Sequence, residues 1–341
     1  AVLLAPLAKA QEGKWQAAGA FEYWVDHLPY NTFEHVDQLD PLVFCASQDN
    51  LLIIDGSTDE FSRYSRINGL SGTNITALRA DVSSQTVWIG YANGRIDVWR
   101  NGAFQPITAI EETPSFTGLK QINGFAFFDG KAYVGTNFGL VEFEISSRLA
   151  GRTFLLGDNY SPIAVSSFDI NPVGTACVHS PAQLNEFLVA DLTENLPQWN
   201  PIDYRVFASV YDPNNLVWYG IDECFLYAAT DLTSGTLLFN VTENSNGDWE
   251  AGTYTQPWGG GSLSQEIQDI RVNDEWLVVT RDFNVIGKKS DQKNSPVDSV
   301  NISNALFAPG VLRPLSSTFV ASENAFYTGN FQTGMVRVKD R

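Results

Sequence analysis

The sequence is short of cations, histidines and cysteines, and each shortage argues against a class of function. It carries 21 Lys and Arg against 39 Asp and Glu, a formal net charge of −18. Nucleic-acid binding needs Lys and Arg to displace phosphate counterions, so this charge excludes it as a general activity. Broad adhesion to an anionic membrane surface is excluded on the same ground. No stretch reaches the roughly 18 consecutive apolar residues of a membrane-spanning helix, so no transmembrane span is expected. The three histidines, His27, His35 and His179, show no H-x-H or H-x-x-x-H spacing, so spacing gives no metal set.

The three cysteines, Cys45, Cys177 and Cys224, form no C-x-x-C and lie in or beside apolar runs. Buried free thiols are the expected state. A disulfide between two of them stays open and unassigned.

Catalytic motifs are scarce as well. Asp26 and His27 are adjacent, but no G-x-S-x-G nucleophile accompanies them. Packing of Trp24, Pro29 and Tyr30 explains that segment better than general-base chemistry. "DGSTDE" (Asp55–Glu60) alternates polar ligands as calcium loops do, yet lacks the Gly at position six and the Glu at twelve. It reads as a polar hairpin turn. "WGGGS" (Trp258–Ser262) lacks the Lys-Ser/Thr of a phosphate loop, so it reads as a loop. No catalytic residue, no cofactor and no metal are expected.

What is present is aromatic and glycine-punctuated. Phe, Trp and Tyr make up 13% of the chain, with nine Trp, and Ala/Leu/Glu/Lys helical runs are rare. That composition reads as all-β. One unit recurs: an apolar pair, a small residue, a short polar link, then an alternating strand. "VWIGYANGRIDVW" (Val87–Trp99) and "AYVGTNFGLVEFEI" (Ala132–Ile145) are its clearest copies. The small-residue anchors are Ala46, Gly90, Gly135, His179 and Gly220, at steps of 44, 45, 44 and 41 residues. Thr280 and Gly329 follow at 60 and 49, the long step holding an insertion over Asn244–Ser262. A period in the forties with two-residue alternation predicts a β-propeller of about seven four-stranded blades.

Within one period the strands are expected at Ile75–Ala80, Thr86–Tyr91, Arg95–Arg100 and Phe104–Thr108. Asn93-Gly94 forms the hairpin turn, and Pro106 marks the outer edge. Gly90 and Gly135 are expected in the second strand, where a missing side chain lets neighbouring sheets approach.

"INGLSGTNITALRAD" (Ile67–Asp81), with Gly69, followed by "VWIGYANGRIDVW", with Gly94, resembles the periplasmic propeller repeats of hybrid two-component regulators. Tyr91 departs from the usual Thr. "FEYWVDHLPYN" (Phe21–Asn31) carries Trp24, His27, Pro29 and Tyr30. With "LLIID", "RINGLS" and "LKQINGFAFFDGKAYVGTNFGLVEFEI", which includes Gly135 and Gly139, it resembles the N-terminal propeller of PorZ-type proteins of the type IX secretion system. The resemblance is dense over about residues 21–170.

It implies a non-enzymatic, exported accessory component at the periplasm, outer membrane or cell surface of a Gram-negative bacterium. The implied partners are the surface sortase and an anionic lipopolysaccharide, and the implied architecture is two propellers with a C-terminal β-sandwich. The −18 charge speaks against anionic glycolipid unless a local cationic patch or another domain supplies the contact.

The expected organisation is a signal-peptide remnant over 1–10, ending in Ala8-Lys9-Ala10. A lead-in strand follows over 11–30, PorZ-like blades over 31–170, and further blades of the same or a second propeller over 171–341. The terminal "GMVRVKDR" predicts that more chain follows. The alternative functions are a ligand-sensing periplasmic propeller of a two-component regulator, or an enzyme. An enzyme would be signalled by two acidic residues facing each other across the central funnel.

Overall fold

The computed structural model describes residues 2–3, 30, 32–180 and 186–203, and beyond them the strands of blades 5, 6 and 7: Val217–Asp222, Phe225–Ala229, Thr236–Glu243, Trp249–Tyr254, Ile267–Val272, Trp276–Arg281, Asn284–Lys289, Ser299–Val300, Pro314–Val320, Ala325–Asn330 and Gly334–Lys339. Among the described residues there are seven four-stranded antiparallel sheets, each one blade. Blade 1 comprises His35–Leu39, Leu42–Ala46, Asn50–Asp55 and Glu60–Ser65, and blade 2 Ile75–Asp81, Thr86–Tyr91, Ile96–Arg100 and Ala103–Ile107. Blade 3 comprises Ile122–Phe128, Lys131–Thr136, Gly139–Glu144 and Ala150–Phe154, and blade 4 Ser167–Ile170, Thr175–His179, Glu186–Asp191 and Asn200–Asp203. The inner strands of blades 5, 6 and 7 are Val217–Asp222, Ile267–Val272 and Pro314–Val320.

The inner strands touch in sequence from blade 1 to blade 7, and Pro314–Val320 returns to His35–Leu39. They therefore form one closed cycle. The outer strand of blade 7 is Val2–Leu3, laid antiparallel on Gly334–Lys339 with Val2 opposite Val338 and Leu3 opposite Arg337.

The apolar core is divided into layers between blades. Alternation with period two sends successive side chains to opposite neighbours. In the second strand of blade 2, Val87, Ile89 and Tyr91 pack toward blade 1, while Trp88 packs on Phe125 and Phe143 of blade 3. Both faces of this strand are covered, which is why Thr86–Tyr91 is buried throughout. The outer strand Ala103–Ile107 meets solvent and holds Pro106 at the sheet edge, as its missing N–H requires.

The anchors follow from this packing. Gly90 belongs to the set facing blade 3, and a Cβ there would collide with Ile122. At Gly135 the obstacle is Phe168 of blade 4, and at Gly329 it is Phe33 at the seam between blades 7 and 1. Gly69 lies between the rings of Tyr64 and Phe104, which meet edge to face at 5.0 Å. Gly139 has φ 144 and is pressed against the Phe154 carbonyl.

Several expectations change. Gly220 lies in the inner strand of blade 5, not its second strand, where it pairs with Tyr227 beside a bulge at Tyr219. The inner strands of blades 2, 3, 6 and 7 also bulge, directly after their first paired residue. Trp249–Tyr254, expected within an insertion, is therefore the outer strand of blade 5. At the Asn93-Gly94 turn only Gly94 takes a positive φ, of 91°, and Asn93 instead accepts the Arg95 N–H. Cys45 is a buried free thiol, but Cys177 is disulfide-bonded, and Cys224 lies outside the described residues. "WGGGS" also lies outside them.

Gly90→Ala is expected to destabilise the protein by about 1–3 kcal/mol, because the blade 2–blade 3 seam must open to admit a methyl group. Urea unfolding followed by tryptophan fluorescence measures the shift in midpoint.

Candidate functional site

The inner-strand register puts charge in the central funnel. The residues two steps past each anchor pair are Asp37 in blade 1, Arg79 in blade 2, Ala126 in blade 3 and Asp169 in blade 4. Asp222, Arg271 and Thr318 hold the equivalent backbone positions in blades 5 to 7.

Arg79 reaches around the axis. Its Nη2 lies 3.2 Å from Asp169 Oδ2, two blades away, and its Nε is 3.9 Å from Asp37 Oδ2. Asp37 also accepts the backbone N–H groups of Gln38 and Ala80, both at 2.9 Å, and Asp169 accepts that of Ile170 at 2.8 Å. Two acids thus do share the funnel, but donors surround each one and a guanidinium stands between them. This arrangement ties three blades together through one guanidinium.

A second polar centre lies at the end of blade 2 that carries the turn between its second and third strands. Asp97 is fully buried. Its Oδ2 accepts the Tyr91 hydroxyl at 2.6 Å and the Ser71 N–H at 2.7 Å. Burial, reinforced by the Asp97 carboxylate, pushes the Tyr91 phenol far above its ordinary pKa and keeps it a donor. Arg95 extends the network, donating from Nη1 to the Ser71 carbonyl at 2.9 Å and from Nε to Glu111 at 2.8 Å. Asn93 and Lys120 bind the same short helix, Ala109–Glu112, through Glu111. Gly72 lets the loop lie on the Tyr91 ring, 2.9 Å from where its Cβ would be, and Gly94 packs on Ile110 and Lys120.

The "GLS" segment, Tyr91 and "GRID" are therefore one hydrogen-bonded unit. Blade 3 makes the equivalent turn with Thr136, whose hydroxyl donates to the Gly139 carbonyl at 2.8 Å. The Tyr-for-Thr departure is accommodated by Asp97, which replaces the apolar residue found at that register in blade 3, Val141.

Of the other sequence-selected residues, Tyr30 stacks under Arg63 at 4.8 Å, while Trp24, His27 and Pro29 lie outside the described residues. Asp55 accepts the Ser57 N–H and hydroxyl at 2.9 and 2.6 Å, the geometry of a self-closed turn. Sequence reading missed the contact between Ser166 and His179, with Oγ 2.9 Å from Nδ1. Ser166 also donates to the His179 carbonyl at 3.1 Å, which makes the hydroxyl a strand-end clip. Burial lowers the His179 pKa from its ordinary 6.5.

Residues 43–200 match the family described as the type IX secretion PorZ N-terminal β-propeller domain, as the motif resemblance implied. No curated protein matches the chain. Among solved structures, the chain is similar to PorZ of Porphyromonas gingivalis, described as an essential bacterial surface component of the type IX secretion system. That match has 14% identity and a TM-score of 0.65, covering 91% of this chain and 37% of that one. It is also similar to the extracellular domain of a putative hybrid two-component system from B. thetaiotaomicron, at 14% identity and a TM-score of 0.62, covering 91% and 40%. The RRP9 WD40 repeats align at 13% identity and a TM-score of 0.60, covering 91% of this chain and 94% of theirs. The chain thus spans well under half the length of the first two proteins and nearly the whole of a WD40 ring.

Two outcomes follow from this chemistry. Tyr91→Phe removes a donor from a buried carboxylate and is expected to cost about 1.5–3 kcal/mol in urea unfolding. For His179, a lowered folded pKa means that the unfolded chain binds the proton more readily. Its stabilising contribution is full above about pH 6.5 and is lost as pH falls below it, so His179→Gln should lose less stability than the parent between about pH 7 and pH 5.

Proposed function

We propose that this chain is the propeller of an exported, non-catalytic accessory component of type IX secretion, and that it acts by binding protein partners at one end of the ring. The match of residues 43–200 to the PorZ N-terminal propeller carries this reading. The disulfide at Cys177 supports export, since disulfides persist in oxidising compartments.

The end of the ring that carries the turns between first and second strands, and between third and fourth, is suited to a protein partner. It exposes Val82, Leu149, Val173 and Leu196 on blades 2, 3 and 4. The opposite end exposes Ile67, Leu119, Leu155 and Tyr160, so both ends carry scattered apolar side chains. The surface sortase is the partner proposed.

Anionic lipopolysaccharide is the weaker proposal for this part of the protein. Arg79, Arg95, Lys131, Arg152 and Arg337 are each engaged by a carboxylate of the chain itself. A sensor of the two-component type is the second reading, favoured by the structural likeness to such an extracellular domain.

Affinity purification of the full-length protein from its host tests the proposal. The sortase is expected to co-purify, and Val82→Glu with Leu149→Glu and Leu196→Glu is expected to reduce its recovery at least about tenfold, as loss of interface anchors does. Recovery of a histidine-kinase domain on the same polypeptide would replace secretion with sensing.

A further inference from the structure

We infer that the disulfide at Cys177 is made with Cys224, and that it is a redox-dependent staple across the seam between blades 4 and 5. The pairing is independent of what the ring binds.

The chain has three cysteines, of which Cys45 is a buried free thiol and Cys177 is disulfide-bonded. Within one chain that leaves Cys224. The repeat gives the same answer by a separate route. One second-strand residue of each blade pairs with the funnel residue: Phe44 with Asp37, Trp88 with Arg79, Tyr133 with Ala126, Cys177 with Asp169 and Tyr327 with Thr318. Each such residue shares an apolar layer with the residue one step before its counterpart in the next blade. Phe44 shares one with Val87, Trp88 with Ala132, Tyr133 with Ala176 and, across the closing seam, Tyr327 with Val43. Ala176 and Val178 belong to the layer between blades 3 and 4, so alternation directs Cys177 toward blade 5. The counterpart in blade 5 is Phe225, which pairs with Asp222. One step before Phe225 stands Cys224. The rule that fills four seams with apolar side chains therefore brings two cysteines together at this one.

Blade 4 supplies the reason for a bond here. At the small-residue position blades 1, 2, 3 and 7 hold Ala46, Gly90, Gly135 and Gly329, whereas blade 4 holds His179, paired with Ser167. An imidazole at that position takes the room that glycine leaves for a neighbouring sheet. The covalent link supplies what the packing there does not. It also joins the last blade of the matched segment, residues 43–200, to the first blade beyond it. Closing the bond takes one electron and one proton from each thiol. Exchange with a small-molecule or protein disulfide accepts both electrons and both protons and releases two thiols. Cys177 is completely buried, so the bond is exchanged only while the seam is open.

The pairing is tested by alkylating free thiols with iodoacetamide and digesting with trypsin without reductant, followed by mass spectrometry. Cleavage at Arg152, Arg205 and Arg271 puts Cys177 and Cys224 on separate peptides. Those two peptides are expected to be linked, with Cys45 alkylated. A link from Cys45 to Cys177, a link between two chains, or three alkylated cysteines overturns the pairing. The staple is tested by thermal unfolding, followed by tryptophan fluorescence, with and without tris(2-carboxyethyl)phosphine. Reductant should lower the parent midpoint by roughly 4–8 °C, the scale for a bond closing a loop of about 50 residues. Cys224→Ala places there the residue type that blades 3 and 4 use. It should show the lowered midpoint in either condition, while Cys45→Ala should keep the full response to reductant. In hydrogen exchange well below the midpoint, Cys224→Ala should exchange at least about tenfold faster at Thr175–His179 and Val217–Asp222, with Thr86–Tyr91 unchanged. A parent midpoint unmoved by reductant, or faster exchange spread evenly over all blades, overturns the staple.

Discussion

The close approach of each blade to the inner strand of the next is the constraint on which the rest of the ring depends. At Gly90 the neighbouring Ile122 side chain fills the space a Cβ would need, and Phe168 does the same at Gly135. At the seam where the ring closes, Gly329 lies against Phe33. In an open array one poor seam would displace only its neighbours. In a closed cycle of inner strands, every seam must be met at once, because blade 7 has to return to blade 1. Apolar packing on both faces of the second and third strands then follows. So does the placement of a side chain as large as Trp88, buried completely between blades.

The charged groups inside such a ring are held by donors, although Asp97 Oδ1 and the Trp99 indole N–H are buried without a hydrogen-bond partner among the described residues. Arg79 spans from blade 1 to blade 4 and is held by two carboxylates that are themselves anchored by backbone N–H groups. Asp97 replaces an apolar residue at its register, and Tyr91, Ser71 and Gly72 are arranged to receive it. Both centres make a blade unlike its siblings. Removing one partner of either would leave a charge in the interior without its donors, which costs more than the pair gains. These residues read as placement devices, and the opposed acids of the funnel belong with them because Arg79 occupies the space between.

The sequence made the repeat legible because both determinants are local. Two-residue alternation marks a strand, and a small residue in a buried strand marks a close approach. That local grammar also explains the failure at Gly220. An inner strand of the form apolar-Trp-Tyr-Gly looks the same as a second strand, and only its pairing with Tyr227 beside a bulge separates them. The polar centres were not legible because their partners are remote. Ser71 lies 26 residues from Asp97, and Arg79 lies 90 from Asp169. Asp59 meets Arg337, a partner 278 residues away. No window of sequence contains such a juxtaposition.

The connections at the end that carries the second-to-third strand turns are fixed by their own hydrogen bonds. Asn93, Arg95, Glu111, Lys120 and Ser71 bind one another around blade 2. The match is incomplete, since Asp97 Oδ1 and Ser71 Oγ are buried without a hydrogen-bond partner among the described residues. Apolar side chains are exposed at both ends, Ile67, Leu119, Leu155 and Tyr160 at this one and Val82, Leu149, Val173 and Leu196 at the other. A contact that first breaks an existing hydrogen bond gains little, so a partner approaching this end would meet its apolar side chains more favourably than its hydrogen-bonded loops.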